Sequence, residues 1–186
     1  MERAQQRPPD VARAAQRLAR PRARAGLAAK RALDVALALA MLLALLPVLV
    51  LVAALLLAED GDWLERRERL GRGGRRLRLA RFRPLPGPLG RVLERIGARE
   101  LPLLAAVVAG RLSFVGPRAV PAGSGTAHAG PRLLMAPGLT GPGQRWATDA
   151  RTAAELDDLY VEEWSLLRDL RLMTGVRRRR PMPVRR

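Results

Sequence analysis

The run Val35-Ala36-Leu37-Ala38-Leu39-Ala40-Met41-Leu42-Leu43-Ala44-Leu45-Leu46-Pro47-Val48-Leu49-Val50-Leu51-Val52-Ala53-Ala54-Leu55-Leu56-Leu57-Ala58 decides how this chain is laid out. It holds 24 consecutive uncharged residues, fifteen of them Leu or Val. At roughly −0.3 to −0.6 kcal/mol each, those fifteen alone favour insertion into a bilayer by about 5–9 kcal/mol. As one helix the run would reach about 36 Å, enough for a hydrocarbon core of roughly 30 Å. Pro47 sits at its middle, however, where it deletes a backbone hydrogen bond and disfavours helix at Leu46. It is the expected membrane break, leaving arms of twelve and eleven residues.

Charge on either side sharpens this. Nine Lys/Arg lie between Arg3 and Arg31, and nine Arg between Arg66 and Arg83. A spanning helix carries its basic excess on one side. Basic flanks at both ends instead favour a re-entrant hairpin with both ends on one face, over a Pro-kinked span. Residues 1–29, rich in Arg and Ala, read as a flexible or partly helical basic arm, and 176–186 as an Arg-rich tail. Between the membrane element (30–58) and that tail, residues 59–175 are long enough for one compact domain.

The net charge of +17 suits anionic lipid headgroups and phosphorylated substrates. With no cysteine, disulfides, Cys-based zinc sites and thiol nucleophiles are excluded. The lone histidine, His128, lies in a Gly/Ala/Ser stretch and reads as a solvated loop residue. No P-loop, GxSxG or dinucleotide fingerprint occurs, and no recognition helix, RNP motif or zinc finger points to nucleic acid. Within the domain, Gly71, Gly73 and Gly74 mark a turn in a basic strand-or-loop region from Arg66 to Arg83. Residues 91–112 read as helix around a break at Pro102, and 119–131 as a loop. Thr152-Ala153-Ala154-Glu155 has the form of a capping box. It would open a helix with Leu156, Leu159, Tyr160, Trp164, Leu167 and Leu170 on its apolar face.

Two short runs then carry the functional reading: Ala98-Arg99-Glu100-Leu101-Pro102, and Ser113-Phe114-Val115-Gly116-Pro117-Arg118. They resemble the centre of the bacterial sugar transferases, the monotopic phosphoglycosyl transferases, where Leu-Asp-Glu-Leu-Pro precedes Ser-Leu-Val-Gly-Pro-Arg-Pro. Lys30-Arg31-Ala32-Leu33-Asp34, Arg69-Leu70-Gly71, Arg81-Phe82-Arg83, Gly90-Arg91-Val92-Leu93, Pro137-Gly138-Leu139-Thr140-Gly141 and Tyr160-Val161 with Trp164-Ser165 resemble further family segments in the same order. The resemblance implies a mainly α fold with minor β. It also implies a re-entrant membrane helix hairpin at the bacterial inner membrane, and a small catalytic-type domain facing the cytoplasm.

It further implies transfer of a sugar 1-phosphate from a nucleotide-diphosphate sugar, such as a UDP-sugar, to undecaprenyl phosphate, initiating exopolysaccharide or glycan synthesis with Mg²⁺. Glu100 would carry the acidic partner's role in catalysis and metal binding, and Arg81 and Arg118 would bind phosphate. Two positions depart from the family pattern. Arg99 stands where the nucleophilic Asp belongs, and a guanidinium has no deprotonated form with which to attack. Glu94 stands in place of a phosphate-binding Arg. An inactive relative that binds the lipid carrier, a nucleotide sugar or a partner protein is the alternative.

Overall fold

The computed structural model describes residues 10–60, 63–122 and 130–174. His128 and the tail 176–186 lie outside these. The chain is mainly helical, with a three-stranded and a two-stranded sheet among the described residues.

The basic arm is helical from its first described residues. Asp10 accepts a hydrogen bond from the Arg13 amide and so caps α1 (Val11–Ala19). Ala14 of α1 is buried, Leu18 packs on the core beside Tyr160 and Trp164, and Arg17 donates to the Glu162 carbonyl. The arm is therefore helical and docked on the domain in its described part, the partly helical of the two forms expected. Pro21 then opens α2 (Pro21–Ala44), its missing N–H costing nothing in a first turn.

α2 ends at Ala44, and α3 (Leu46–Asp60) starts two residues later, with Pro47 in its first turn. The break falls at Leu45, just before the expected position. Proline strips the bond to the carbonyl four residues back and crowds the residues preceding it, so the kink forms on its N-terminal side. The two helices are bent by 63°. No single helix among the described residues is long and apolar enough to cross a membrane, whereas the bent pair passes that test together. One face of the pair packs on the domain through Ala38, Val52 and Leu56, all nearly inaccessible. The other stays open and apolar: Leu43 is 74% exposed, and Leu46, Val50, Leu51 and Leu57 are each about half exposed. Burial on one side and uniform apolarity on the other leave an exposed apolar surface of the kind that marks an interaction site.

The basic region beyond it is a hairpin. β1 (Leu64–Leu70) pairs antiparallel with β2 (Arg76–Phe82), Glu65 opposite Arg81, around a turn with Gly73 and Gly74 at positive φ. β4 (Val120–Pro121) adds to the other edge of β1. After Pro86 come α4 (Gly87–Arg95), a short 3₁₀ turn (Ala98–Glu100) and α5 (Leu103–Val108). β3 (Ser113–Val115) runs parallel to β5 (Gly138–Thr140), and α6 (Pro142–Trp146) follows.

The closing segment is two helices, α7 (Ala150–Glu162) and α8 (Leu166–Met173). The start of α7 is not the expected capping box. Asp149 is the cap, accepting from the Thr152 amide and hydroxyl, while Thr152 lies inside the first turn. Ser165 caps α8 and restarts the helix in a new register. Leu156, Tyr160 and Trp164 are therefore buried as expected, but Leu167 and Leu170 are exposed, and Asp169 and Leu172 turn inward instead.

Candidate phosphate site

A left-handed glycine, Gly97 (φ 74°), ends α4, and Pro102 stands at the head of α5. Between them the 3₁₀ turn buries Ala98 and Leu101 and leaves Arg99 and Glu100 facing the β1–β2 hairpin. The two side chains meet the hairpin in crossed charge pairs. Glu100 Oε1 lies 3.3 Å from Arg81 Nη1. Arg99 Nη2 lies 2.6 Å from Glu65 Oε2, and its Nε donates to the Phe82 carbonyl at 2.9 Å. Its remaining nitrogen, Nη1, lies 3.5 Å from Glu94 Oε1. The two departures from the family pattern thus face each other: Glu94 is turned toward Arg99. Arg99 is a staple between the turn and the hairpin, with all three of its nitrogens engaged.

Around this turn gather cations. Burial, as the larger cause, and then the positive charges of Arg81, Arg67 and Arg118 push the Arg69 pKa below its usual value. Arg69 therefore lies in the field of the Arg81 and Arg118 charges. The side chains of Arg69 and Arg118 make no hydrogen bond or ion pair among the described residues. A guanidinium remains protonated under such shifts, so the cluster is a ready receptor for phosphate oxygens.

The backbone before Arg118 is held with little slack. Gly116 donates to the Thr140 carbonyl and Gly138 to the Pro117 carbonyl, each at 2.9 Å. A Cβ on Gly116 would stand 2.6 Å from the Ala136 carbonyl oxygen, so the strand crossing needs glycine. Buried Asp157 accepts from the amides of Arg118 at 2.7 Å and Gly143 at 3.0 Å. Burial pushes its carboxyl up to about 6 despite those two donors. Behind β3, α2 supplies a buried ionic base. Lys30 Nζ lies 2.8 Å from Asp169 and donates to the Val115 carbonyl. Asp34 accepts from Ser113 Oγ at 2.7 Å and from the Phe114 amide. Tyr160 and Trp164 also donate to Asp169. This is what Lys30 and Asp34 do: they bolt α2 to β3, whose last residue, Val115, precedes Arg118 by three.

Glu100 lies in the turn with Arg81 paired to it, Arg118 connects to them only through the field it shares with Arg81 at Arg69, and Pro47 acts only on helix geometry. Sequence reasoning missed Glu65, Arg69 and Asp157 as parts of the site. A hairpin register with Glu65 opposite Arg81 would have exposed the first, but no sequence signal placed Asp157 beneath Arg118. For Mg²⁺ the donors are poor. Among the described residues no three His, Asp or Glu groups come together as a metal site. Glu65, Glu94 and Glu100 are each already opposed by an arginine. This set does not fit a divalent cation held by the protein, and no step below passes through one.

The profile of the bacterial sugar transferase family matches residues 25–177. The UDP-glucose:undecaprenyl-phosphate glucose-1-phosphate transferase of Caulobacter vibrioides is 32% identical over 183 residues, covering 77% of this chain. The match spans 66% of that relative's length. The chain belongs to the bacterial sugar transferase family.

Proposed function

We propose that this chain transfers a sugar 1-phosphate from a nucleotide-diphosphate sugar, UDP-glucose being the first candidate, to undecaprenyl phosphate at the bacterial inner membrane, as an opening step of exopolysaccharide or glycan assembly. The observation that carries the proposal is the Arg81–Glu100 pair in the turn, with Arg69 in the field of Arg81 and Arg118. The bent α2–α3 pair would enter the bilayer as a re-entrant hairpin from the cytoplasmic face. Its apolar outer side, together with Leu89 and Val92 on α4 and Ile96 at its C-cap, each roughly half exposed or more, gives the surface such placement needs.

With Arg99 in the nucleophile's place, the half-exposed Glu100 beside Arg81 is the carboxylate assigned to react. A Glu100 oxygen would attack the β-phosphorus, breaking the bond to the nucleoside monophosphate, which leaves with the bonding electron pair. An oxygen of the acceptor phosphate would then attack the same phosphorus and free Glu100. The arginines offset the phosphate charge in both steps. A second reading, a non-catalytic relative that binds these substrates, is favoured by the Arg99–Glu65–Glu94 network, which occupies the usual nucleophile position.

The test is UMP release by the purified chain in nanodiscs, given a UDP-sugar and undecaprenyl phosphate, in buffers with and without Mg²⁺. Release from the unaltered chain supports transfer. Release appearing only in Arg99→Asp plus Glu94→Arg would overturn it in favour of the second reading.

A further inference from the structure

A cavity of about 530 Å³ lies away from the arginine cluster, between α1, α2, the start of β3 and residues 134–136. None of Arg69, Arg81, Arg99, Glu100 or Arg118 lines it. Its size is that of a small-molecule site. Leu18, Leu27, Leu112 and Leu134 form apolar walls. Arg24 and Arg72 also line it, both exposed, and neither makes a hydrogen bond or ion pair among the described residues. Its single lining acid, Asp34, is already answered by Lys30, the Ser113 hydroxyl and the Phe114 amide. The cavity thus offers two uncommitted guanidinium groups and no free carboxylate.

We infer that this cavity binds a phosphate-headed lipid, its anionic headgroup taken by Arg24 and Arg72 and the first part of its chain by the leucine walls. A guanidinium grips two oxygens of a phosphate or carboxylate at once, and two guanidiniums together match the larger charge and oxygen count of a phosphate. Apolar walls select an amphiphile over a soluble anion. Position argues the same way, since lining residue Asp34 is followed at once by Val35, where the uncharged run begins. The family match starts at residue 25, so α1 and Arg24 lie outside it, and this chain's own N-terminal segment completes the cavity. The inference does not depend on chemistry at Glu100.

The test is native mass spectrometry of the full chain in lipid-free detergent, in an Arg81→Glu plus Arg118→Glu background that silences the other cationic site. The probes are undecaprenyl phosphate, dioleoyl phosphatidic acid and inorganic phosphate. Retention of either lipid, weakened at least tenfold by Arg24→Glu plus Arg72→Glu, is expected. Ala15→Phe keeps both arginines and fills the space, and the same loss is expected from it. At least tenfold preference for undecaprenyl phosphate would assign the cavity to the polyprenyl carrier, and equal retention to acidic phospholipid in general. No lipid retention, retention indifferent to both variants, or displacement by millimolar inorganic phosphate would overturn the inference.

Discussion

Replacing Arg99 by Asp restores the family's nucleophile in name, and the structure says the fold will resist it. Arg99 and Glu65 form a charge-assisted hydrogen bond at 2.6 Å, with side chains only 27% and 31% exposed. Losing such a bond costs about 1.5–3 kcal/mol, and stranding the Phe82 carbonyl about 1 more. The Glu94 contact is longer, and half of that side chain is exposed, so its loss costs roughly 0–1 kcal/mol. A new carboxylate facing Glu65 and Glu94 adds screened repulsion on the order of 1 kcal/mol. The sum is about 3.5–6 kcal/mol, a melting shift on the order of 10–20 °C for a chain of this size. Arg99→Met, without the repulsion, should cost about 2.5–5 kcal/mol. Adding Glu94→Arg to Arg99→Asp should return about 1 kcal/mol by giving the new carboxylate a partner. Circular-dichroism melts in detergent read all three, and a double-mutant cycle with Glu65→Gln isolates the pair. If Arg99→Asp costs under about 1 kcal/mol, or shows no coupling to Glu65, Arg99 is not the staple described.

Two further outcomes follow from the buried charges. Lys30→Met leaves Asp169 and Asp34 buried without their cation, and should cost about 3–5 kcal/mol, seen as a lower melting temperature. Restoring neutrality with Asp169→Asn in the same chain should recover part of that loss. For Asp157 the pH dependence has a definite sign. Its folded carboxyl titrates at about 6 against an ordinary 3.8, so the folded state holds the extra proton between these values. Stability should therefore fall as pH rises from about 4 to about 6, by at most about 3 kcal/mol, and be flat in this respect above that. Asp157→Asn should remove this portion of the slope in melts taken across the window.

The sequence was most legible where chemistry is local. An uncharged run with a central proline foretold two apolar helices and their break to within two residues, because both effects act within a turn of the chain. The glycine-marked hairpin was readable only as a basic strand or loop, and its register, which opposes Glu65 to Arg81, was not. The closing segment failed in an instructive way. Its leucine spacing fits one helix as well as two, and only the Ser165 cap, which rotates Asp169 inward, decides between them. Arg99 and Glu94 read in the sequence as two departures at one phosphate site, and in three dimensions they are one contact. What sequence could not supply is Asp157 beneath the Arg118 amide, a pairing of residues far apart in the chain that no periodicity announces.

The most direct test of this account compares Arg99→Met and Glu100→Gln for UMP release in nanodiscs with saturating UDP-sugar and undecaprenyl phosphate, at a temperature where both are folded. If Arg99 is a structural staple and Glu100 the reacting carboxylate, Arg99→Met keeps the rate within about threefold. Glu100→Gln then loses at least a hundredfold, roughly 2.7 kcal/mol of barrier. An unaffected Glu100→Gln enzyme, or an Arg99→Met enzyme that has lost its turnover, would contradict it.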